Sequence, residues 1–240
     1  MISTYRAALA EGNFSALHEI YSHGVVLHLP GFDVHSRDLA IAHDLECYSD
    51  RCPAVVHGVW DGGPSRLGFT TESGRRRFAT EWRIWDGRVV EIWKAEARTD
   101  RETPLPEARL APPFEIAGTF GQLAPAAEIE GSPAVRQLHA VWNRRDLRCL
   151  PLDTPLRGQT LEVLTRFARL TAVLESELTT ANDALVRWRL QAGGAGAIAD
   201  LFVFSVWRDG VWTANYLDWA TLESQLAKPA FAYLAEERFA

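Results

Sequence analysis

The apolar positions of this 240-residue chain change period several times, and they do so in nearly the same order twice. Tyr5, Leu9, Leu17 and Ile20 recur at helical spacing with a break at Gly12-Asn13, which predicts two short helices meeting there. The run Val25-Val26-Leu27-His28-Leu29, stopped by Pro30-Gly31, reads as a strand. Ser36 is placed as the N-cap of a helix to about Tyr48, with Leu39, Ile41, Ala42 and Leu45 as its apolar surface. Extended stretches follow at 54–60, 66–72, 76–85 and 88–96. The second series starts with a helix from Pro133 to Leu150 and another from Thr160 to Ala172. Strands at 174–180, 184–191, 199–207 and 211–217 come next, then a last helix over 219–227 capped by Asp218.

Both series close on an Asp-Gly hairpin turn. Arg83-Ile84-Trp85-Asp86-Gly87-Arg88-Val89 is answered by Val206-Trp207-Arg208-Asp209-Gly210-Val211-Trp212. The expected organisation is therefore two α+β domains, 1–100 and 132–228, with a tail over 229–240. The Pro-rich stretch 101–131, carrying Pro104, Pro106, Pro112, Pro113 and Pro125, is the linker between them. The copies are unequal, because the second has no counterpart of the Val25–Leu29 strand and its Pro-Gly corner.

Composition removes several classes of function. Lys and Arg number 25 against 31 Asp and Glu, and no basic stripe is present, so nucleic acid is not an expected partner. The residues are 47% hydrophobic, yet no run is long enough to span a membrane, and the N-terminus enters a helical pattern without a leader segment. The three cysteines, Cys47, Cys52 and Cys149, form neither a disulfide framework nor a metal-ligand spacing, so a reducing cytoplasm is the expected compartment. His35, His43, Asp44 and Glu46 invite a metal reading, but the helix lacks a persuasive i, i+4 ligand pair, so no metal is expected.

A three-residue loop at Trp85-Asp86-Gly87 would pair Ile84 with Arg88 and place Phe78, Thr80, Trp82, Ile84, Val90, Ile92 and Lys94 on one sheet face. That face is the expected pocket. The other would carry Ala79, Glu81, Arg83, Val89, Glu91 and Trp93. In the second copy the back face would carry Phe202, Phe204, Val206, Trp212 and Tyr216, apolar enough to require cover.

The series Ala8-Leu9-Ala10-Glu11-Gly12-Asn13-Phe14, Val25–Gly31, Ser36-Arg37-Asp38-Leu39 and Trp85–Trp93 resembles the SnoaL-like polyketide cyclases of the nuclear-transport-factor-2-like superfamily. The second copy is similar through Ala140–Leu147, Arg157-Gly158-Gln159, Asp209-Gly210 and Leu217–Leu222. The resemblance implies two tandem cones, each a curved antiparallel sheet wrapped round helices and enclosing a pocket. It further implies chemistry without metal or organic cofactor, and an internal pseudo-dimer with a possible homodimer beyond it. Such folds host cyclases, isomerases, lyases and plain binding modules. The family's acid/base aspartate at the end of the last strand corresponds here to Lys94 in the first copy and to Leu217 in the second.

Lys94 is thus the central candidate. It reads either as a lysine reaching solvent or paired with Glu46 or Asp33, or as a pocket lysine that polarises a carbonyl or forms a Schiff base. His28 and His57 are candidate proton carriers, with core histidines hydrogen-bonded to backbone as the alternative. Phe78, Thr80, Trp82, Ile92 and Trp60 are the candidate ligand-binding residues. The expected function is a cofactor-independent cyclase, isomerase or lyase acting on a small apolar carbonyl metabolite in the first domain. Two rivals stand beside it: a non-catalytic binding module of the same fold, and an assembly protein using the apolar second sheet.

Overall fold

The structure, a computed structural model, describes residues 1–48, 54–97, 129–150, 155–166, 169–194, 197–218 and 221. The chain is α+β. Helix α1 (Ile2–Glu11) ends where Gly12 turns left-handed at φ 62°, and α2 (Phe14–Ile20) starts where the Asn13 side chain accepts from the Ala16 N–H. Strands β1 (Tyr21–Leu29) and β2 (Phe32–Val34) follow, then α3 (Arg37–Cys47), capped by the Ser36 hydroxyl. Strands β3 (Val55–Asp61), β4 (Arg66–Ser73), β5 (Arg76–Trp85) and β6 (Arg88–Ala97) complete a six-stranded sheet of order β2-β1-β6-β5-β4-β3. All pairs are antiparallel except β1 with β6, so the sheet is mixed where the sequence led us to expect an antiparallel one.

The β5–β6 turn has two residues, not three. Asp86 (φ 50°) and Gly87 (φ 71°) are both left-handed, the requirement of a type I′ turn, and Trp85 pairs with Arg88. Ile84 then pairs with Val89 and Arg83 with Glu91, leaving Val90 as an extra residue in a bulge. Past the bulge, Trp82 faces Ile92, Thr80 faces Lys94 and Phe78 faces Glu96. The bulge restores the expected company of Phe78, Thr80, Trp82, Ile92 and Lys94, but Val89, not Val90, is fully buried beside them.

The core of this sheet lies between that face and the helices. Tyr5, Ala8 and Leu9 of α1, Leu17 and Ile20 of α2, and Ala40 and Ile41 of α3 close over Phe69, Phe78, Trp82, Val89 and Ile92. Trp82 is its centre: Tyr5 and Phe69 each meet its ring edge-on at 4.8 Å, pairings worth roughly 0.5–1.5 kcal/mol apiece beyond the burial itself.

In the second series α4 (Pro133–Arg144) has Ser132 as N-cap and Pro133 in its first turn. It stops short of the expected Leu150 because Arg145 is left-handed at φ 57°, after which Asp146 caps a 3₁₀ turn at Leu147–Cys149. Helix α5 (Pro155–Arg166) begins five residues before the expected Thr160, which is buried inside it with its hydroxyl donating to the Leu156 carbonyl. Strands β7 (Arg169–Thr179), β8 (Ala184–Gly194), β9 (Ala197–Arg208) and β10 (Val211–Tyr216) form a four-stranded sheet of order β10-β9-β8-β7. Asp209 (φ 49°) and Gly210 (φ 79°) repeat the conformation of Asp86 and Gly87. Phe204, Val206, Trp212 and Tyr216 are buried, and Trp212 packs edge-on against Trp142 of α4 at 5.8 Å instead of facing away from its helices.

The chain divides into two compact units, the first of Met1–Asp100 with Leu178–Leu185 and Tyr216–Asp218, the second of the remainder. The expected linker, except for residues 129–131, and the last helix and tail, except for Thr221, lie outside the described residues. Among the described residues no helix is long and apolar enough to cross a membrane.

Candidate functional site

The inward stripe of α3 is Ala40, Ile41, Asp44 and Cys47, so a carboxylate sits where helical periodicity demands an apolar side chain. The inward stripe of β6 is Val89, Ile92 and Lys94, which breaks the pattern in the same way with the opposite charge. The two meet. Lys94 Nζ donates to Asp44 Oδ1 at 2.7 Å, and both side chains are 1% exposed. The remaining oxygen, Asp44 Oδ2, accepts from the Tyr5 hydroxyl at 2.9 Å and from the Tyr21 hydroxyl. The ammonium also lies over the Tyr48 ring at 4.6 Å and the Phe78 ring at 4.7 Å, while the Tyr48 hydroxyl bonds Thr71 Oγ1 at 2.6 Å.

Electrostatics follow from this geometry. Burial alone would push the Lys94 ammonium down, but the Asp44 carboxylate against it holds it above its ordinary value. Burial would raise the Asp44 carboxyl, yet Lys94 and the hydrogen bonds from Lys94 and Tyr21 bring it below the usual range. The Tyr5 and Tyr21 hydroxyls are driven up, first by burial and then by the Asp44 charge. At neutral pH the centre is one cation, one anion and two neutral phenols. An ammonium held in this way has no electron pair free for a Schiff base, so of the roles expected for Lys94 the electrostatic one is compatible with its surroundings.

Glu46 and Asp33 are not its partners. Glu46 is on the exposed side of α3, and Asp33 Oδ1 bonds His28 Nδ1 at 2.8 Å. His28 pairs in register with Trp93 and stacks on it at 4.8 Å, on the sheet face opposite Lys94, because Leu27 is the residue beside Ile92. His57 corrects the expectation of a central strand: β3 is the sheet edge, a register shift falls at His57, and its Nε2 bonds Glu72 Oε2 at 3.0 Å on the outer side. The same shift puts Trp60 opposite Gly68, so Trp60 is buried on the outer face and does not join the expected ligand-binding set. Phe78, Thr80, Trp82 and Ile92 do share the Lys94 face.

The sequence reading missed Asp44, Tyr5 and Tyr21 as members of the centre. The available signal was two opposite charges, each interrupting an apolar stripe, since two such groups are tolerable in a core mainly as each other's partners. His43, next in α3, is lowered to about 4 by burial and by the Lys94 charge, and its ring lies 3.7 Å from the Cys47 sulfur. Burial raises the Cys47 thiol, so this neighbouring pair is neutral and not a thiolate–imidazolium nucleophile.

The second unit has a polar core cluster of Thr160 on α5, Ser205 on β9 and Asn215 on β10. Asn215 Nδ2 donates to Thr160 Oγ1 at 3.3 Å and Ser205 Oγ donates to Asn215 Oδ1 at 2.9 Å, with no charge among the three.

No family model matches the chain, and no curated protein matches it. Solved structures of nuclear-transport-factor-2-like and polyketide-cyclase type are similar to it. A protein from Kribbella flavida DSM 17836 has 20% identity and a TM-score of 0.36, over 49% of this chain and 90% of that one. IdmH of Streptomyces antibioticus, a candidate polyketide cyclase, has 21% identity and a TM-score of 0.33, over 40% and 88%. An epoxide hydrolase of the LEH-like type from M. tuberculosis has 11% identity and a TM-score of 0.32, over 40% and 79%. Identities and scores at this level assign neither a reaction nor a residue to this chain.

Proposed function

We propose that the chain is a tandem pair of SnoaL-like cones, the first a cofactor-independent enzyme for a small apolar carbonyl compound and the second a structural copy. The reacting centre is Asp44 and Lys94 with Tyr5 and Tyr21, in place of Lys94 with His28 and His57. The observation that carries this reading is the ion pair at 1% exposure with two phenols on the same carboxylate. Apolar replacements of similar volume often stabilise a fold as well as a buried ion pair does, and strongly perturbed ionisable groups concentrate at functional sites. In this role the Lys94 ammonium stabilises negative charge developing on the substrate oxygen. Asp44 takes the proton alpha to the carbonyl once substrate displaces a phenol and, then protonated, gives it back to the substrate, which restores the carboxylate. Cyclisation, isomerisation and elimination next to a carbonyl all use that step. Tandem duplication is supported by the twin Asp-Gly turns and by the helix-and-last-strand position of both polar clusters.

A second reading, a binding module without turnover, is favoured by one observation: both Asp44 oxygens are already engaged. Native mass spectrometry of the purified chain, followed by incubation of any released compound with wild type and with Asp44→Asn, separates the two. Conversion by wild type alone supports the enzyme. A compound that binds tightly and returns unchanged from both supports the binding module and overturns the first reading.

A further inference from the structure

Two polar groups on the Lys94 face are unaccounted for by the centre itself. The Thr80 hydroxyl and the Trp82 indole N–H are both buried, at 1% and 0% exposure, and neither has a hydrogen-bond partner. Unpartnered indoles also occur at Trp142 and Trp188, so Trp82 alone assigns nothing. Thr80 carries the weight, because β5–β6 register sets it directly opposite Lys94. A threonine hydroxyl left without a partner in a dry core costs more than the valine that would fill the same space, unless something else bonds it.

We infer that Thr80, beside Lys94 and seconded by Trp82, is the subsite for the carbonyl oxygen of a neutral ligand. The chemistry of the surroundings selects that class. Lys94 and Trp82 can only donate, and the two oxygens of Asp44, the nearby strong acceptor, are occupied by Lys94, Tyr5 and Tyr21. The Thr80 hydroxyl can donate or accept, so a carbonyl oxygen is the ligand atom that takes a hydrogen bond from all three groups and leaves no proton of its own to place. Lys94 and Asp44 already balance to zero charge, so a carboxylate would bring an uncompensated anion into a water-excluded site, whereas a ketone or aldehyde oxygen would not. The inference rests on the proposed ligand site of the first unit and names the atom that Thr80 would hold there.

The test uses the full chain and two bicyclic probes of similar shape, α-tetralone with a carbonyl and tetralin without one, with dissociation constants read by calorimetry. Wild type is expected to bind the ketone about tenfold more tightly than the hydrocarbon, the worth of one good buried hydrogen bond. Thr80→Val should erase that preference by weakening α-tetralone alone, and Thr80→Ser, which keeps the donor, should retain it. Should Thr80→Val fail to fold, Thr80→Ala, which also lacks the hydroxyl, is read in its place with the same expected loss of preference. Equal binding of both probes by wild type, or an undiminished preference in Thr80→Val, overturns the subsite and leaves the proposed function standing. Failure of wild type to bind α-tetralone also overturns the subsite, whereas the proposed function falls only on the turnover comparison of wild type with Asp44→Asn.

Discussion

Lys94 of β6 and Asp44 of α3, 50 residues apart in sequence, meet at 2.7 Å with both side chains sealed from water. Each makes the other possible, since either charge alone in that core would have to be neutralised or expelled.

Lys94→Met should therefore be far more damaging than the loss of one contact. It leaves Asp44 as an uncompensated buried charge, at a cost of about 3–5 kcal/mol in urea unfolding. The double variant Lys94→Met with Asp44→Leu should recover most of that loss, and strict additivity of the two single effects would show that the residues are not coupled.

Tyr21→Phe removes a donor from Asp44 Oδ2 and should cost about 1.5–3 kcal/mol, the range for a hydrogen bond to a charged group. The Asp44 carboxyl should titrate higher as a result, measurable by carbon NMR of the side-chain carboxyl. Tyr5→Phe should act in the same direction, because its hydroxyl bonds the same oxygen.

His43 makes the first unit acid-sensitive at mild pH. Its folded value, about 4, lies below the ordinary 6.5, so the fold favours the neutral ring. The stability it contributes is complete above pH 6.5 and is lost as pH falls from 6.5 towards 4. His43→Gln should flatten the stability profile in that window, followed by urea midpoints from pH 7 to pH 4. Asp44, also depressed, adds a further loss below its ordinary 3.8. Lys94, raised, contributes below 10.5 and is lost only as pH climbs through its higher folded value.

Gly87→Ala and Gly210→Ala place a Cβ on left-handed residues at φ 71° and φ 79° and should each cost about 1 kcal/mol or more. Similar losses at the two sites, by thermal unfolding, are the expected outcome of two turns built alike. A silent Gly210→Ala would show that the second turn relaxes differently.

Much of the fold was legible because local chemistry settles it. Gly12-Asn13 can end one helix and cap the next, and Asp-Gly can hold two left-handed residues, whatever surrounds them. The pocket-side grouping of Phe78, Trp82, Ile92 and Lys94 emerged correctly from a wrong turn, since a three-residue loop and a two-residue loop with one bulge give the same parity. Local pattern failed where long-range contacts decide. Leu39 looks like a core residue of α3 and is 62% exposed, while Asp44 looks like a surface residue and is 1% exposed. The helix is rotated to serve a lysine that no window around residue 44 contains. The shift at His57 likewise sets Trp60 on the same outer side as His57, and nothing in Val55–Trp60 announces it.

The unpaired Val90 gives the chain slack. If that one residue were lost, the hairpin would close as a regular ladder with Thr80 still across from Lys94, and the charged centre would survive. If one residue were lost between Ile92 and Lys94, beyond the bulge, the lysine would turn outward and Asp44 would be stranded. Chain length is free to drift at the hairpin tip and is locked four residues further on, so single-residue deletions scanned along β6 should divide sharply between tolerated and fatal.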